Sequence, residues 1–402
     1  MTAKNNIPAG YKESAVGVIP QEWEIKTLCE CFSISAGRDL QKAFYSATPS
    51  EIHRYPIFSN SLENKGLYGY TSHPRHKSGS ITITGRGMLG VAEYRNIDFD
   101  AIVRLLVLFP KRPITGSIIA EYINFRKPFY LESTGVPQLT APQIANTPIP
   151  IPPLEEQRKI AEILGVWDES IEKQIRLIEK LELRKRGLMQ RLLAGRTRLP
   201  GFTTPWQKVK LGEICKRVTR RNEENNLNVM TISAQKGFVS QTDFFNKSVA
   251  SSTLDNYYLV LKDEFCYNKS YSNGYPMGAI KRLKEADKAV VTTLYICFSI
   301  TDKQKLSIDF FEQYCENGEF NKGLMKIANE GGRAHGLLNV TPTDFFSLVM
   351  LLPTLPEQKA IAEVLTAADD EIATHCKKLD ALRLQKRGLM QQLLTGKTRV
   401  KI

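Results

Sequence analysis

The sequence predicts a mixed α/β protein in which two α/β modules are separated by two long antiparallel helices that form a coiled-coil spacer. Three observations support this internal pseudo-two-fold repeat. The run "LRKRGLMQRLLAGRTRL" at 183–199 returns as "LQKRGLMQQLLTGKTRV" at 384–400. Each run lies within a long apolar stripe of coiled-coil period. Ahead of each stripe, a run of β-branched and aromatic residues predicts a buried strand.

The repeated helices are defined by a gapless alignment. Residues 157–199 match 358–400 at a constant offset of 201, with 20 identities in 43 positions. Each copy opens with proline and glutamate, which is typical of a helix start, and closes at a glycine, Gly195 or Gly396. The pattern predicts two helices of about 38 residues, each roughly 57 Å long.

An apolar seam runs along each predicted helix in alternating steps of four and three residues. Matching polar residues, Gln174 with His375 and Lys185 with Lys386, interrupt it at the same places. Because a lone helix cannot shield such a seam from water, we expect the two copies to pack against each other; two unrelated surface helices are the alternative. The predicted packing residues are Ile160, Leu164, Ile171, Ile178, Leu181 and Lys185 in the first copy and Ile361, Leu365, Ile372, Leu379, Leu382 and Lys386 in the second.

Fainter repetition links the segments that precede the helices. Trp23 and Trp206 each lie five residues before a leucine, and Gly90 and Gly278 each lie eleven residues before an apolar run. These runs, "AIVRLLVLF" and "AVVTTLYICF", each predict one buried strand followed by a helix, at 117–125 and 307–316. The predicted segments are a first module at 1–152, a central helix at 153–199, a second module at 200–352 and a C-terminal helix at 353–402.

The charge of the chain favours a polyanionic partner. It carries 55 Lys and Arg against 42 Asp and Glu, a net charge of +13. All four segments contribute to the excess, which indicates several modules that contact one long anion rather than a basic tail. An inert basic surface is the alternative.

Location is predicted from what the chain lacks in sequence. The start "MTAKNNIPAGYKES" has no apolar signal-peptide core, and the apolar run at 101–109 is too short to span a bilayer. Seven cysteines without paired spacing are typical of reduced thiols. We therefore expect a cytoplasmic protein without a membrane partner.

These features resemble the specificity (S) subunit of type I restriction–modification systems over almost the whole chain. The specific phrases are "PPLEEQRKIAEIL" at 152–164 and "LRKRGLMQRLLAG" at 183–195. The fragments "TGRGMLG" and "NKSYSNGYPMGAIKRL" are similar to those of target recognition domains.

The resemblance implies a non-catalytic subunit that recognises DNA. Its two target recognition domains each read one half of a bipartite double-stranded target, and the helices act as a spacer. The helices, including Lys185 and Lys386, are also the implied docking surface for two adenine-N6 methyltransferase (M) subunits, to which restriction (R) subunits are added. S-adenosylmethionine, ATP and Mg are then expected in the partners, with no cofactor in this chain.

The sequence carries no recognisable motif of a catalytic or metal centre. The Pro152-Pro153 pair is not followed by the aromatic residue of an amino-methyltransferase loop, and "TGKT" at 395–398 lacks the upstream glycine of a phosphate-binding loop because Gln391 is there. The two closest Cys and His pairs do not have the spacing of a zinc site. No catalytic, cofactor-binding or metal-binding residue is predicted.

Candidate DNA contacts lie in polar, glycine-rich loops at equivalent places in the two modules. Base readout needs donors and acceptors, and phosphate contacts need cations; solvated loops are the alternative. The basic segment "KRVTRRN" at 216–222 is either a phosphate contact or a basic turn. The candidates are Arg75, His76, Lys77 and Arg86 in the first module and Asn268, Lys269, Tyr271, Asn273, Lys281, Arg282, Arg333 and His335 in the second.

Two other functions remain open from the sequence. One is a coiled-coil adaptor whose basic modules bind RNA or another polyanion, which salt-dependent but sequence-indifferent binding would reveal. The other is a nuclease with an unrecognised active site, which metal-dependent cleavage by the isolated chain would reveal.

Overall fold

The computed structural model describes residues 7–129, 137–241, 254–328 and 338–401. The chain divides into two compact units. Unit 1 comprises residues 1–175 and 377–402, and unit 2 comprises 176–376. Each unit therefore combines one module with the first part of one long helix and the last part of the other.

Unit 1 is built mainly from short antiparallel strands. Its strands are β1 (Tyr11–Ser14), β2 (Gly17–Pro20), β3 (Glu24–Thr27), β4 (Phe32–Ala36), β5 (Tyr45–Ser46), β6 (Tyr55–Phe58), β7 (Leu67–Thr71), β8 (Ser80–Ile83), β9 (Ala92–Arg95), β10 (Asp100–Ala101), β11 (Leu106–Pro110) and β12 (Pro148–Ile151). The helices that begin in this part of the chain are α1 (Leu28–Cys31), α2 (Gly116–Arg126), α3 (Ala141–Ala145) and the long α4 (Leu154–Leu192).

Unit 2 repeats this plan. Its strands are β13 (Gln207–Lys210), β14 (Cys215–Arg217), β15 (Met230–Ser233), β16 (Gly237–Ser240), β17 (Tyr258–Leu261), β18 (Phe265–Asn268), β19 (Ala279–Arg282), β20 (Lys288–Val291), β21 (Ile296–Ile300) and β22 (Val349–Leu352). Its helices are α5 (Leu211–Ile214), α6 (Ile308–Glu316), α7 (Asn321–Ile327), α8 (Pro342–Phe346) and the long α9 (Leu355–Leu393).

The same four-stranded sheet is present in both units. Its strand order is β4-β11-β8-β9 in unit 1 and β14-β21-β18-β19 in unit 2, with every pair antiparallel. The predicted helices at 117–125 and 307–316 are confirmed as α2 and α6. Gly90 and Gly278, just before the last strand of each sheet, both have positive φ, 77° and 75°. The two modules thus share one scaffold, and the predicted mixed α/β class is confirmed.

The two apolar runs are not single strands, and that prediction is wrong in both modules. In unit 1 the run breaks after β10, because Val103 and Arg104 adopt left-handed backbone conformations with φ of 53° and 59° and expose their side chains. In unit 2 a turn at 292–295 separates β20 from β21. Average apolarity over nine or ten residues does not reveal such a local reversal.

The long helices pack antiparallel along the predicted seam. Each has 39 residues, and no seam position is exposed in either helix. In unit 1, Ile160 and Leu164 share a hydrophobic core with Met390 and Leu393. In unit 2, the core formed by Met189 and Leu192 includes Ile361 and Leu365 in the same way. The start of one helix therefore meets the end of the other in each unit.

Matched polar groups interrupt the seam, one group in each unit. In unit 1, Lys386 Nζ donates to Asp168 Oδ1 at 2.7 Å and to Glu121 Oε1 on α2 at 2.8 Å. In unit 2, Lys185 Nζ donates to Asp369 Oδ1 at 2.6 Å, and Gln313 Nε2 on α6 donates to Asp369 Oδ2 at 3.0 Å. We call these the seam triads. The first contains two carboxylates and the second contains one, because Gln313 takes the place of Glu121.

Each unit contains a buried carboxylate that accepts hydrogen bonds from a tryptophan and an arginine. Glu156 is fully buried and accepts hydrogen bonds from Trp23 Nε1 at 2.9 Å and from Arg399 Nε at 2.7 Å. Unit 2 has the same arrangement. Glu357 and Arg198 correspond to Glu156 and Arg399 at the offset of 201, and Trp206 corresponds to Trp23. The repeated glutamate and the arginine of the repeated Thr-Arg ending thus form a buried ion pair in each unit.

The described residues contain neither a membrane-spanning helix nor a candidate metal site. No helix among them is long and apolar enough to cross a membrane. Nor do they contain a group of three or more His, Cys, Asp or Glu side chains placed to hold a metal ion.

Candidate nucleic-acid interface

In unit 1, the β8–β9 loop lies directly against the turn that breaks the apolar run. A Cβ at Gly85 would be 2.8 Å from Leu139 O and 3.1 Å from Arg104 O, so only glycine allows this approach. Asn60 joins the two segments. Its Nδ2 donates to Val103 O at 2.7 Å, and its Oδ1 accepts from the backbone N–H of Gly85 at 2.7 Å.

The same turn is tied to the end of β4. Val103 N donates to Arg38 O at 3.2 Å, and Arg104 N donates to Gly37 O at 3.1 Å. This backbone network brings together three exposed arginines, Arg38, Arg86 and Arg104, which we call the arginine cluster. Within the described residues, none of the three guanidinium groups has a hydrogen bond or an ion pair.

The other predicted contacts in unit 1 are engaged within the chain. Arg75 forms a bidentate pair with the buried Asp100, at 2.6 and 2.7 Å. His76 stacks on Phe99 with ring centroids 5.3 Å apart, and burial lowers the pKa of His76. Lys77 is exposed but pairs with Asp98 at 3.0 Å, and this hydrogen bond raises the pKa of Lys77. Among the four predicted residues, Arg86 alone belongs to the arginine cluster.

In unit 2, the equivalent loop and turn line a cleft of about 320 Å³. Asn268 and Lys269 lie on its wall, and burial together with the charge of Arg217 lowers the pKa of Lys269. Tyr271 is 65% exposed, and Asn273 accepts a hydrogen bond from Gln235 at 3.1 Å through its carbonyl. The lining residues are Thr231, Ile232, Ser233, Ala234, Gln235, Asn268, Lys269, Ser270, Ser272, Thr292, Leu294 and Tyr295.

Lys281 and Arg282 do not lie at this cleft, and their prediction as DNA contacts is not supported. Lys281 is only 8% exposed and donates to Glu316 at 2.5 Å. Arg282 pairs with Asp263 at 2.5 Å and with Asp309 at 2.7 Å. Both side chains therefore hold the sheet against α6. The remaining candidates, Arg333 and His335, lie outside the described residues.

In the basic segment 216–222, residues 216 and 217 belong to β14, and the two arginines after Thr219 are engaged within the chain. Arg220 pairs with Glu264 at 3.2 Å, and Arg221 donates to Asn256 O and lies over the ring of Tyr258. Sequence reasoning also missed Arg38, Arg104 and Asn60. One signal for Arg104 was present, since a charged residue within an apolar run is expected to point outward.

A second candidate surface lies on the long helices. Lys185 and Lys386, predicted to dock a partner, are only 14% and 12% exposed and are engaged in the seam triads, so that role is not supported for them. Outward-facing residues of the same repeated phrase remain, and Leu183 and Leu384 are 64% and 72% exposed. We call each of two sets an exposed helix face: Leu183, Arg186 and Gln190 of α4 in unit 2, and Leu384, Arg387 and Gln391 of α9 in unit 1.

Comparisons with known proteins agree with this architecture. A family described as "Type I restriction modification DNA specificity domain" matches residues 20–183. A type I restriction enzyme specificity subunit (MjaVIII) of Methanocaldococcus jannaschii is 26% identical over 97% of this chain and 96% of its own length. A putative type I specificity subunit of Mycoplasma pneumoniae is 30% identical over 174 residues, which cover 42% of this chain and 68% of that relative.

A solved structure shows the same fold. The S subunit of a type I restriction–modification system from M. genitalium superposes with a TM-score of 0.59 at 15% identity, covering 100% of this chain and 99% of that one. These relatives are specificity subunits of type I restriction enzymes. The duplicated modules, the paired long helices and these matches together show that the chain belongs to the family of type I restriction–modification specificity subunits.

Proposed function

We propose that the chain selects a bipartite double-stranded DNA target, with one half-site read by each unit. The observation that carries this proposal is that the two units have a matching loop and turn at the same place in the fold. In both units the same sheet brings a glycine-containing loop against a turn in the apolar run. The charged side chains there are not the same, with exposed arginines in unit 1 and Lys269 in unit 2, as two readers of different sequences require. The net charge of +13 supports binding to a polyanion.

The same chain holds two adenine-N6 methyltransferase (M) subunits over the target. The two exposed helix faces support this part of the proposal, because a large exposed leucine is kept in both copies where internal packing does not require it. Two identical partners need two nearly identical seats. R subunits join the complex, S-adenosylmethionine, ATP and Mg are bound by the partners, and the assembly works in the cytoplasm.

Methylome sequencing tests the DNA-reading role. A host that expresses this chain with its neighbouring methyltransferase is compared with the same host lacking the chain. We expect a split adenine-methylated motif that disappears on deletion. Unchanged methylation would contradict the proposal, and sequence-indifferent RNA binding by the purified chain would then favour the adaptor.

The docking role is tested by Leu183→Glu and Leu384→Glu. Each single variant should retain one M subunit in the purified complex, and the double variant should retain none, while the melting temperature of the isolated chain stays unchanged. Leu227→Glu is the matched control, since Leu227 is 81% exposed and lies outside both long helices. Two M subunits bound to the double variant would exclude this surface.

A further inference from the structure

We infer that the arginine cluster of unit 1 recognises guanine bases, with Arg86 and Arg104 as the reading residues. This inference rests on the proposed function, because it names the bases that one unit selects. Arg38 and Arg104 are new to the interface, and their backbones are joined to that of Arg86 through Asn60 and Gly37.

The cluster is held rigidly. Three hydrogen bonds of Asn60 connect the β8–β9 loop to the turn, and Gly85 fits where no side chain can. Val103 and Arg104 keep left-handed conformations that are costly for residues with a Cβ, and such strain persists only where the surrounding structure fixes it. Reading a base requires a rigid backbone below the arginine side chain, because the guanidinium group must contact two base atoms at once.

The three cations are not needed to hold the described fold together. Two other arginines of unit 1 do have partners within the fold: Arg75 pairs with Asp100, and Arg95 donates to Thr82 and to Lys65 O. The cluster has no such partner within the described residues. Arginine is always charged, and its planar fork matches the O6 and N7 acceptors of guanine.

The surroundings favour base edges over phosphates. Met88 is 64% exposed in the same loop as Arg86, and Val103 is 47% exposed beside Arg104. Exposed apolar side chains have no complement on a phosphate backbone. In the major groove, however, they can contact the methyl group of thymine next to a guanine.

The equivalent loop and turn in unit 2 carry different side chains. Its turn carries Thr292 and Leu294, and its loop carries Lys269, Ser270 and Ser272. Among the residues that the structure describes, no arginine lines the cleft of about 320 Å³. Substitutions in the arginine cluster should therefore change one half of the target and leave the other half unaltered.

The experiment combines methylome sequencing with binding to randomised DNA targets by the complete complex with its M subunits. Arg86→Ala or Arg104→Ala should relax a guanine to any base at one position of one half-site. Affinity for the original target should fall about 5- to 150-fold, the range for loss of one bidentate contact. Arg104→Lys should also relax that position while it keeps the salt dependence, because it retains the charge but not the fork.

Arg112→Ala is the matched control. Arg112 is an exposed arginine just past the far end of β11, about 16 Å of strand away from the turn. It should leave the motif unchanged, and thermal melting checks that every variant is folded.

Three outcomes would overturn the inference: an equal loss of affinity for all sequences with a smaller salt slope, which marks a phosphate contact; relaxation in both half-sites; or an unchanged motif. A wild-type complex that methylates no split motif at all would instead refute the proposed function itself, and the inference with it.

Discussion

At the scale of single residues, the buried ion pair of Glu156 and Arg399 shows how the repeated residues stabilise each unit. The carboxylate is fully buried, yet each of its oxygens accepts a hydrogen bond from Arg399, and Trp23 adds a third. Hydrogen bonding to Glu156 and then to Glu22 raises the pKa of Arg399, so this guanidinium group stays charged. Removing one partner leaves an uncompensated buried charge, and this costs much more free energy than the intact pair contributes.

Arg399→Ala should therefore destabilise unit 1 by about 3 kcal/mol, because it leaves Glu156 buried with only the indole donor. Urea unfolding of the full chain measures this. Glu22→Ala is the control, since Glu22 is the exposed second partner of Arg399 and its loss should cost less than about 1 kcal/mol. Adding Glu156→Gln to Arg399→Ala should restore part of the stability; no rescue would show that the buried charge is not the cause.

His76 predicts a pH dependence at the same scale. Burial lowers its pKa from the ordinary value of 6.5, although Asp100 opposes this. A depressed pKa means that the unfolded chain binds a proton more readily than the folded chain. Its contribution to stability is therefore complete above pH 6.5 and is lost as the pH falls.

The change that tests this is His76→Gln. Between pH 7.5 and 5, the wild type should lose up to about 1.4 kcal/mol per pH unit more than the variant, the value for one differential proton. Melting temperatures at half-unit intervals give the comparison. Parallel curves for the two proteins would rule out a buried neutral histidine.

At the scale of elements, the seam triads explain why lysine interrupts an otherwise apolar helix pair. Burial raises the pKa of Glu121, and Lys386 counteracts this. The pKa of Lys386 is raised despite burial, because Glu121 and Asp168 both face it. One lysine thus balances two carboxylates in unit 1, whereas in unit 2 Lys185 and the amide of Gln313 both donate to the single carboxylate of Asp369.

Lys386→Met should destabilise its unit by roughly 3 kcal/mol and Lys185→Met by about half as much, because the first leaves two carboxylates unpaired and the second leaves one that still accepts from Gln313. Hydrogen exchange of α2 and α6 reports on each unit separately. The matched rescue is Glu121→Gln, which gives unit 1 the triad of unit 2. Equal protection losses in the two single variants would contradict this account.

At the scale of the whole molecule, both long helices pass from one unit to the other, and each is 39 residues long. In the proposed function their length sets the gap between the two half-sites. A heptad inserted into each helix keeps the seam in register, because the seam repeats every 3.5 residues.

Matched insertions of seven residues, after Ile175 and after Cys376, should therefore lengthen the gap in the methylated motif by about three base pairs. Seven residues add roughly 10 Å of helix, and one base pair spans about 3.4 Å. Methylome sequencing reads the gap directly. An insertion in one helix alone should abolish methylation, since it shifts one seam against the other; an unaltered gap in the double insertion would show that the helices do not act as the spacer.

The sequence by itself determined the features that depend on local periodicity. The duplicated helices, their shared seam, and the helices α2 and α6 were all predicted. The long helices end at Leu192 and Leu393, three residues before the predicted glycines Gly195 and Gly396, which have positive φ. A 3.5-residue repeat and a gapless alignment are properties of neighbouring residues, so they can be seen without coordinates.

Only the tertiary structure decided which charges are open to a ligand. Lys281, Arg75 and Lys386 are as basic as Arg86, but their carboxylate partners lie 35, 25 and 218 positions away in the chain. Likewise, the arginine cluster forms because backbone hydrogen bonds bring three distant segments together. Pairing of charges depends on contacts between remote residues, and no local pattern in the sequence records those contacts.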